Sequence, residues 1–85
     1  MNESNLARVR VVKAAHEREL LRKANVVGVG IGRRSRDGQP TDELAIIVSV
    51  THKVPLDSLH PRDIVPRELE GVPVDVQAVG VIHPL

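Results

Sequence analysis

Apolar residues recur along this chain in two rhythms. Between positions 4 and 24, Leu6, Val9, Val12, His16, Leu20 and Ala24 fall three or four residues apart, which stacks them on one side of a helix. Ser4 or Asn5 can cap its start, no Gly or Pro interrupts it, and Asn25 marks a stop. Glu19 and Lys23 are placed for a favourable i,i+4 pair. The spacing therefore predicts a helix over 4–24.

From Val26 the period drops to two. Val27, Val29 and Ile31 alternate with Gly28, Gly30 and Gly32, which predicts a strand over 26–34 with an apolar face and a glycine face. A glycine face lets a helix, a sheet or a ligand approach the backbone closely. Residues 34–42 read as a polar loop bent at Asp37-Gly38, a favoured turn pair. A second strand over 43–54 completes an antiparallel hairpin. It is apolar on both sides near its start, as a central strand should be. Pro55, Pro61, Pro66 and Pro73 punctuate the remainder of the chain. Residues 55–71 read as a Pro-rich crossover, with helical turns at Leu56–His60 and at Pro66–Leu69. Gly71 is a turn, and a third strand runs over 72–81, with Val72, Val74, Val76 and Ala78 on one face. The expected fold class is α+β: an amphipathic N-terminal helix packed on a small three-stranded sheet, all in a single domain, 1–85.

Composition sharpens this picture. The chain contains no Phe, Tyr or Trp, so valine, isoleucine and leucine must form the core. A domain of 85 residues buries only roughly 60–65% of its unfolded surface, so the core is thin. A thin aliphatic core favours further burial between copies. With no cysteine, disulfides, thiolate catalysis and cysteine metal sites are excluded. No signal-peptide pattern opens the chain. The longest apolar run, Leu44–Val48, is too short to span a bilayer, so a cytoplasmic location and no membrane partner are the default expectation.

Charge is distributed unevenly. Residues 1–36 carry nine basic and three acidic side chains, whereas residues 37–85 carry three basic and eight acidic ones. Such asymmetry invites docking, within the chain or between chains. The candidate interface has Arg8, Arg18 and Arg22 on one side and Asp57, Asp63, Glu68 and Glu70 on the other. Val74 and Val76 lie on an apolar strand that could pair with another copy. Arg33, Arg34 and Arg36 form a basic hairpin tip that could hold a phosphate, but there is no aromatic platform for base stacking. Weak nucleic-acid or phosphate binding is thus a minor alternative.

Catalytic motifs are missing. Arg33 stands where a dinucleotide fingerprint needs its third glycine, so Gly28, Gly30 and Gly32 read as close-packing residues. Ser49, His52 and Asp57 are the residue types of a hydrolytic triad. However, a strand cannot fold back within three residues to present Ser49 to His52, and no nucleophile elbow surrounds the serine. His16, His52, His60 and His83 have no metal-ligand spacing. The expectation is no catalytic residue, no cofactor and no metal.

The ordered series of short motifs has a known counterpart. NVVGVGIG over 25–32, GQPTDELAIIVSV over 38–50, KVP over 53–55, IVP over 64–66 and GVPVDV over 71–76 resemble the module that precedes the trypsin-like serine peptidase domain in a group of bacterial proteins. A similar segment precedes the peptidase part of the plant narrow-leaf protease. The likeness covers residues 20–80. None of the peptidase's catalytic His, Asp and Ser has a counterpart here. The resemblance implies a non-catalytic accessory module that binds or orders a peptidase. The leading expectation is self-assembly into a homo-oligomer or filament, with the accessory role as the alternative.

Overall fold

The computed structural model describes residues 3–80. Helix α1 (Glu3–Leu21) leads into the hairpin of β1 (Val26–Arg36) and β2 (Gln39–Val50). Two 3-10 turns, Leu56–Ser58 and Pro61–Asp63, lie in the crossover before β3 (Glu68–Leu69) and β4 (Val72–Ala78). The strands form one mixed sheet in the order β1-β2-β4-β3. The α+β class holds, but the sheet has four strands, not three.

The helix packs as its periodicity requires. Val9, Val12 and Leu20 are buried against Ile46, Val48 and Val50 of β2 and Val72 and Val74 of β4. Those strand residues alternate, so all five lie on one face of the sheet. The helix closes at Leu21 instead of Ala24. Its end tightens through bonds from Arg22 N–H to Glu19 O (3.2 Å) and from Lys23 N–H to Leu20 O (3.1 Å), after which Asn25 turns the chain at φ 68°. Lys23 does not pair with Glu19. It donates to the carbonyl of Arg62 (2.7 Å), while Lys13 and Glu17 form the helix ion pair (3.0 Å).

The hairpin runs further than its sequence pattern predicts. Its turn is only the two residues Asp37 and Gly38, both left-handed at φ 51° and 78°, which matches the twist of the flanking strands. Two irregularities shape it. Val26 faces Val50 and Gly28 faces Ser49, so Val27 is an extra residue pushed out to 54% exposure. Val26, not Val27, therefore joins the core face. A second irregularity leaves Thr41, Asp42 and Glu43 without β1 partners. The Thr41 hydroxyl bridges the gap, donating to Arg34 O (2.7 Å) and accepting from Glu43 N–H (3.2 Å).

β3 replaces the helical turn expected at Pro66–Leu69. Glu70 and Gly71, at φ 49° and 84°, form a second two-residue turn, and Leu69 pairs with Val72 across it. The helical start that suits a proline falls instead at Pro61, where the His60 ring accepts from Arg62 N–H. β4 ends at Ala78; Val81, expected as its last residue, lies outside the described residues. β4 runs parallel to β2, Ile46 facing Val74 and Val50 facing Ala78.

This packing sets two stability outcomes. Leu20→Ala should cost about 2–5 kcal/mol in urea unfolding, because the side chain is 2% exposed, whereas Val11→Ala, at 69% exposure, should stay within about 0.5 kcal/mol. Gly71→Ala should cost about 1–2 kcal/mol in the same assay, because a Cβ there adopts a left-handed backbone and meets the Arg8 guanidinium.

Candidate interaction site

The long-range polar contacts join the basic half of the chain to the acidic half. Arg8 donates from Nη2 to the carbonyl oxygen of Glu70 in the β3–β4 turn. His16 Nε2 lies 3.0 Å from the Glu70 carboxylate. Asp63 accepts from Ala24 N–H at 3.0 Å, holding the crossover to the end of the helix region. Two of these contacts join a charged side chain to a backbone group, so they tie the two halves together without pairing their charges. Arg8, Asp63 and Glu70, placed on a candidate interface by the sequence, make contacts within their own chain. Arg18, Arg22, Asp57 and Glu68 stay exposed.

The hairpin tip divides its arginines. Glu43 lies 3.4 Å from Arg34 and 3.7 Å from Arg36, so a carboxylate sits among the cations expected to hold phosphate. Arg33 points to solvent. The tip is also pinned: the carboxylate of Asp75 accepts from Ser35 N–H (3.0 Å) and from the Gln77 amide (3.3 Å). The Asp75 carboxylate thus serves as the acceptor for the Ser35 N–H, next to the register irregularity between Arg33 and Ser35.

The glycine stripe lies on the face of the sheet opposite α1. Gly28, Gly30 and Gly32 face Ser49, Ile47 and Ala45 of β2. Close packing holds only at Gly32, where a Cβ would meet Ile47 Cγ1 at 3.1 Å. At Gly28 the approach is ordinary, with Ser49 Cβ 3.7 Å away, and at Gly30 nothing lies within 4 Å. The helix packs on the other face, and Gly28, Gly30 and Gly32 are half-buried.

The residue types of a triad are not assembled. Ser49 sits one residue before the end of β2, beside Gly28, the His52 ring lies 3.1 Å from the Thr51 hydroxyl, and Asp57 is exposed in a 3-10 turn. Among the described residues, no hydrogen bond links these three, and no three His, Asp or Glu side chains converge as metal ligands. His83 lies outside the described residues.

What sequence reasoning missed is a cleft of about 500 Å³ beside β4 and the crossover. Three consecutive β4 residues, Val74, Asp75 and Val76, line it. Arg34 and Ser35 of β1 and Val50 of β2 line it as well, so the cleft runs from the hairpin tip past β4 to the crossover. Leu56, Leu59 and Val65 of the crossover form an apolar wall. Val74 itself is only 8% exposed and belongs mainly to the core, while Val76 is half-buried at the cleft. No periodicity could have disclosed this cleft, because it depends on where β4 enters the sheet.

With this geometry in place, comparison with known families is informative. The sequence model described as the NARROW LEAF 1 N-terminal domain matches residues 2–81. The chain belongs to this family. The match spans the helix and all four strands, so in this NARROW LEAF 1 N-terminal domain the whole described fold is family fold. No curated protein matches the chain. Among the described residues, no helix is long and apolar enough to cross a membrane.

The Asp75 pin can be tested directly. Asp75→Ala should lower stability by about 0.5–1.5 kcal/mol, speed hydrogen exchange at core amides of β2 only by the factor that loss implies, and speed exchange at the Ser35 amide by more.

Proposed function

We propose that the domain is a non-catalytic accessory module that docks against a trypsin-like peptidase domain and orders it. The observation that carries this reading is the family match over residues 2–81, to a domain defined by its N-terminal place in another protein. The motif series at 25–32, 38–50 and 71–76 supports it by its resemblance to the module ahead of such peptidases. The geometry is consistent with a binding scaffold. The contacts of Arg8, His16 and Asp63 tie helix, turn and crossover together, leaving a cleft open beside β4.

Self-association into a homo-oligomer or filament is a second reading. It is favoured by Val11 and Leu21 on α1, exposed at 69% and 45%. Ala7 and Ala14 share that stripe at spacings of three and four. Head-to-tail pairing between the charged halves loses force, because Arg8, Asp63 and Glu70 already have partners in their own chain. The remaining exposed pairs would contribute only about 0–1 kcal/mol each.

Size exclusion with light scattering separates the two readings. The chain alone should elute at its 9.3 kDa monomer mass and shift to a complex when a trypsin-like peptidase domain from the same organism is added. A defined oligomer with no peptidase retention would transfer the assignment to self-association.

A further inference from the structure

We propose that the outer edge of β4 binds an extended, acidic segment of a partner protein as an added strand. This rests on the reading of the domain as a binding module and names the chemistry of what it binds. Three observations converge on this edge.

The first is the direction of the backbone. Val74 N–H donates away from β2, to Arg67 O (2.9 Å), whereas Val79 N–H donates toward β2, to Val50 O (2.8 Å). Backbone groups alternate sides along a strand. Val76 and Ala78 therefore present their N–H and C=O groups on the same side as Val74, away from β2. β3 covers that side only at its first residues, where Glu68 faces Pro73 and Leu69 faces Val72. Among the described residues, no backbone bond reaches Val76 or Ala78 from that side. A second polypeptide can complete the ladder there.

The second observation is the cleft beside the same strand, which has one apolar wall among charged residues. Its volume of about 500 Å³ lies against Leu56, Leu59 and Val65, enough to take one or two aliphatic side chains of an incoming strand. Strand addition uses this division of labour: main-chain bonds supply affinity and alternate side chains enter pockets.

The third is charge. Each carboxylate lining the cleft is already engaged, Asp63 with Ala24 N–H and Asp75 with Ser35 N–H and Gln77. Arg34 is shared with Glu43. Lys53 and Arg67 also line the cleft, and among the described residues neither has an ion-pair partner. The uncommitted charges at the cleft are therefore cationic, and they suit glutamate or aspartate on the incoming strand. This complementarity argues against a second copy of β4, because its exposed edge would bring the same cations.

The test uses the full chain, isotopically labelled, titrated with an acetylated and amidated pentapeptide alternating glutamate and valine. Amide shifts are expected at Val76, Ala78 and the crossover, with slowed hydrogen exchange at Val76 and Ala78. A peptide with lysine in place of glutamate should bind at least about tenfold more weakly. So should the glutamate peptide N-methylated at alternate residues, which cannot form the ladder. The Lys53→Ala, Arg67→Ala double variant should weaken the glutamate peptide alone, and its dispersed amide spectrum reports that it is folded. Equal binding of the lysine peptide, shifts confined to other surfaces, or no binding at millimolar peptide would each overturn the proposal. Co-elution with the peptidase domain in that last case would retain the accessory role and place its contact elsewhere.

Discussion

The central constraint is the burial of β2. With no aromatic side chain available, the domain must close its core with valine, isoleucine and leucine alone. It does so by placing one strand between two others and laying the helix across it. Ala45, Ile46 and Val48 are fully buried and Val50 nearly so, a run that only a strand with neighbours on both edges can achieve. β1 supplies one edge in antiparallel register and β4 the other in parallel register. The crossover, the short β3 and the polar contacts of Arg8 and Asp63 all serve to bring β4 back alongside β2.

This arrangement explains which parts of the fold could be read from the residues. The helix, the hairpin and the alternation of β2 are local patterns, and each has a local cause: apolar spacing, the Asp37-Gly38 turn, the β-branched run. The unforeseen fourth strand had a signal of the same kind in Glu70-Gly71, flanked by Leu69 and Val72, but two residues of ladder leave no periodicity. The bulge at Val27 had none, because an extra residue shifts the register only relative to a partner strand. Val27 and Val26 are identical in type, and only pairing with Val50 decides which faces inward.

The surface was less legible than the core. Charge asymmetry along the chain suggested docking without saying whether it would be within or between molecules. The folded chain answers for Arg8, Asp63 and Glu70, whose contacts span more than 30 positions. The glycine stripe was visible as a stripe, yet its packing role reduces to Gly32, because the helix lies on the opposite face. The cleft beside β4 is a property of sheet order and appears in no local pattern.

The parallel pairing of β2 with β4 has a consequence for how the chain reaches this structure. The β1–β2 hairpin closes over two residues, so its loop-closure entropy is small. β4 can join only after the whole of 51–71 has been looped back, a cost that grows with loop length and comes before the contacts that repay it. The topology therefore favours an early hairpin and a late β4. The strand that completes the sheet is then the one whose far edge stays uncovered, so the final folding step and the exposed ladder belong to the same few residues.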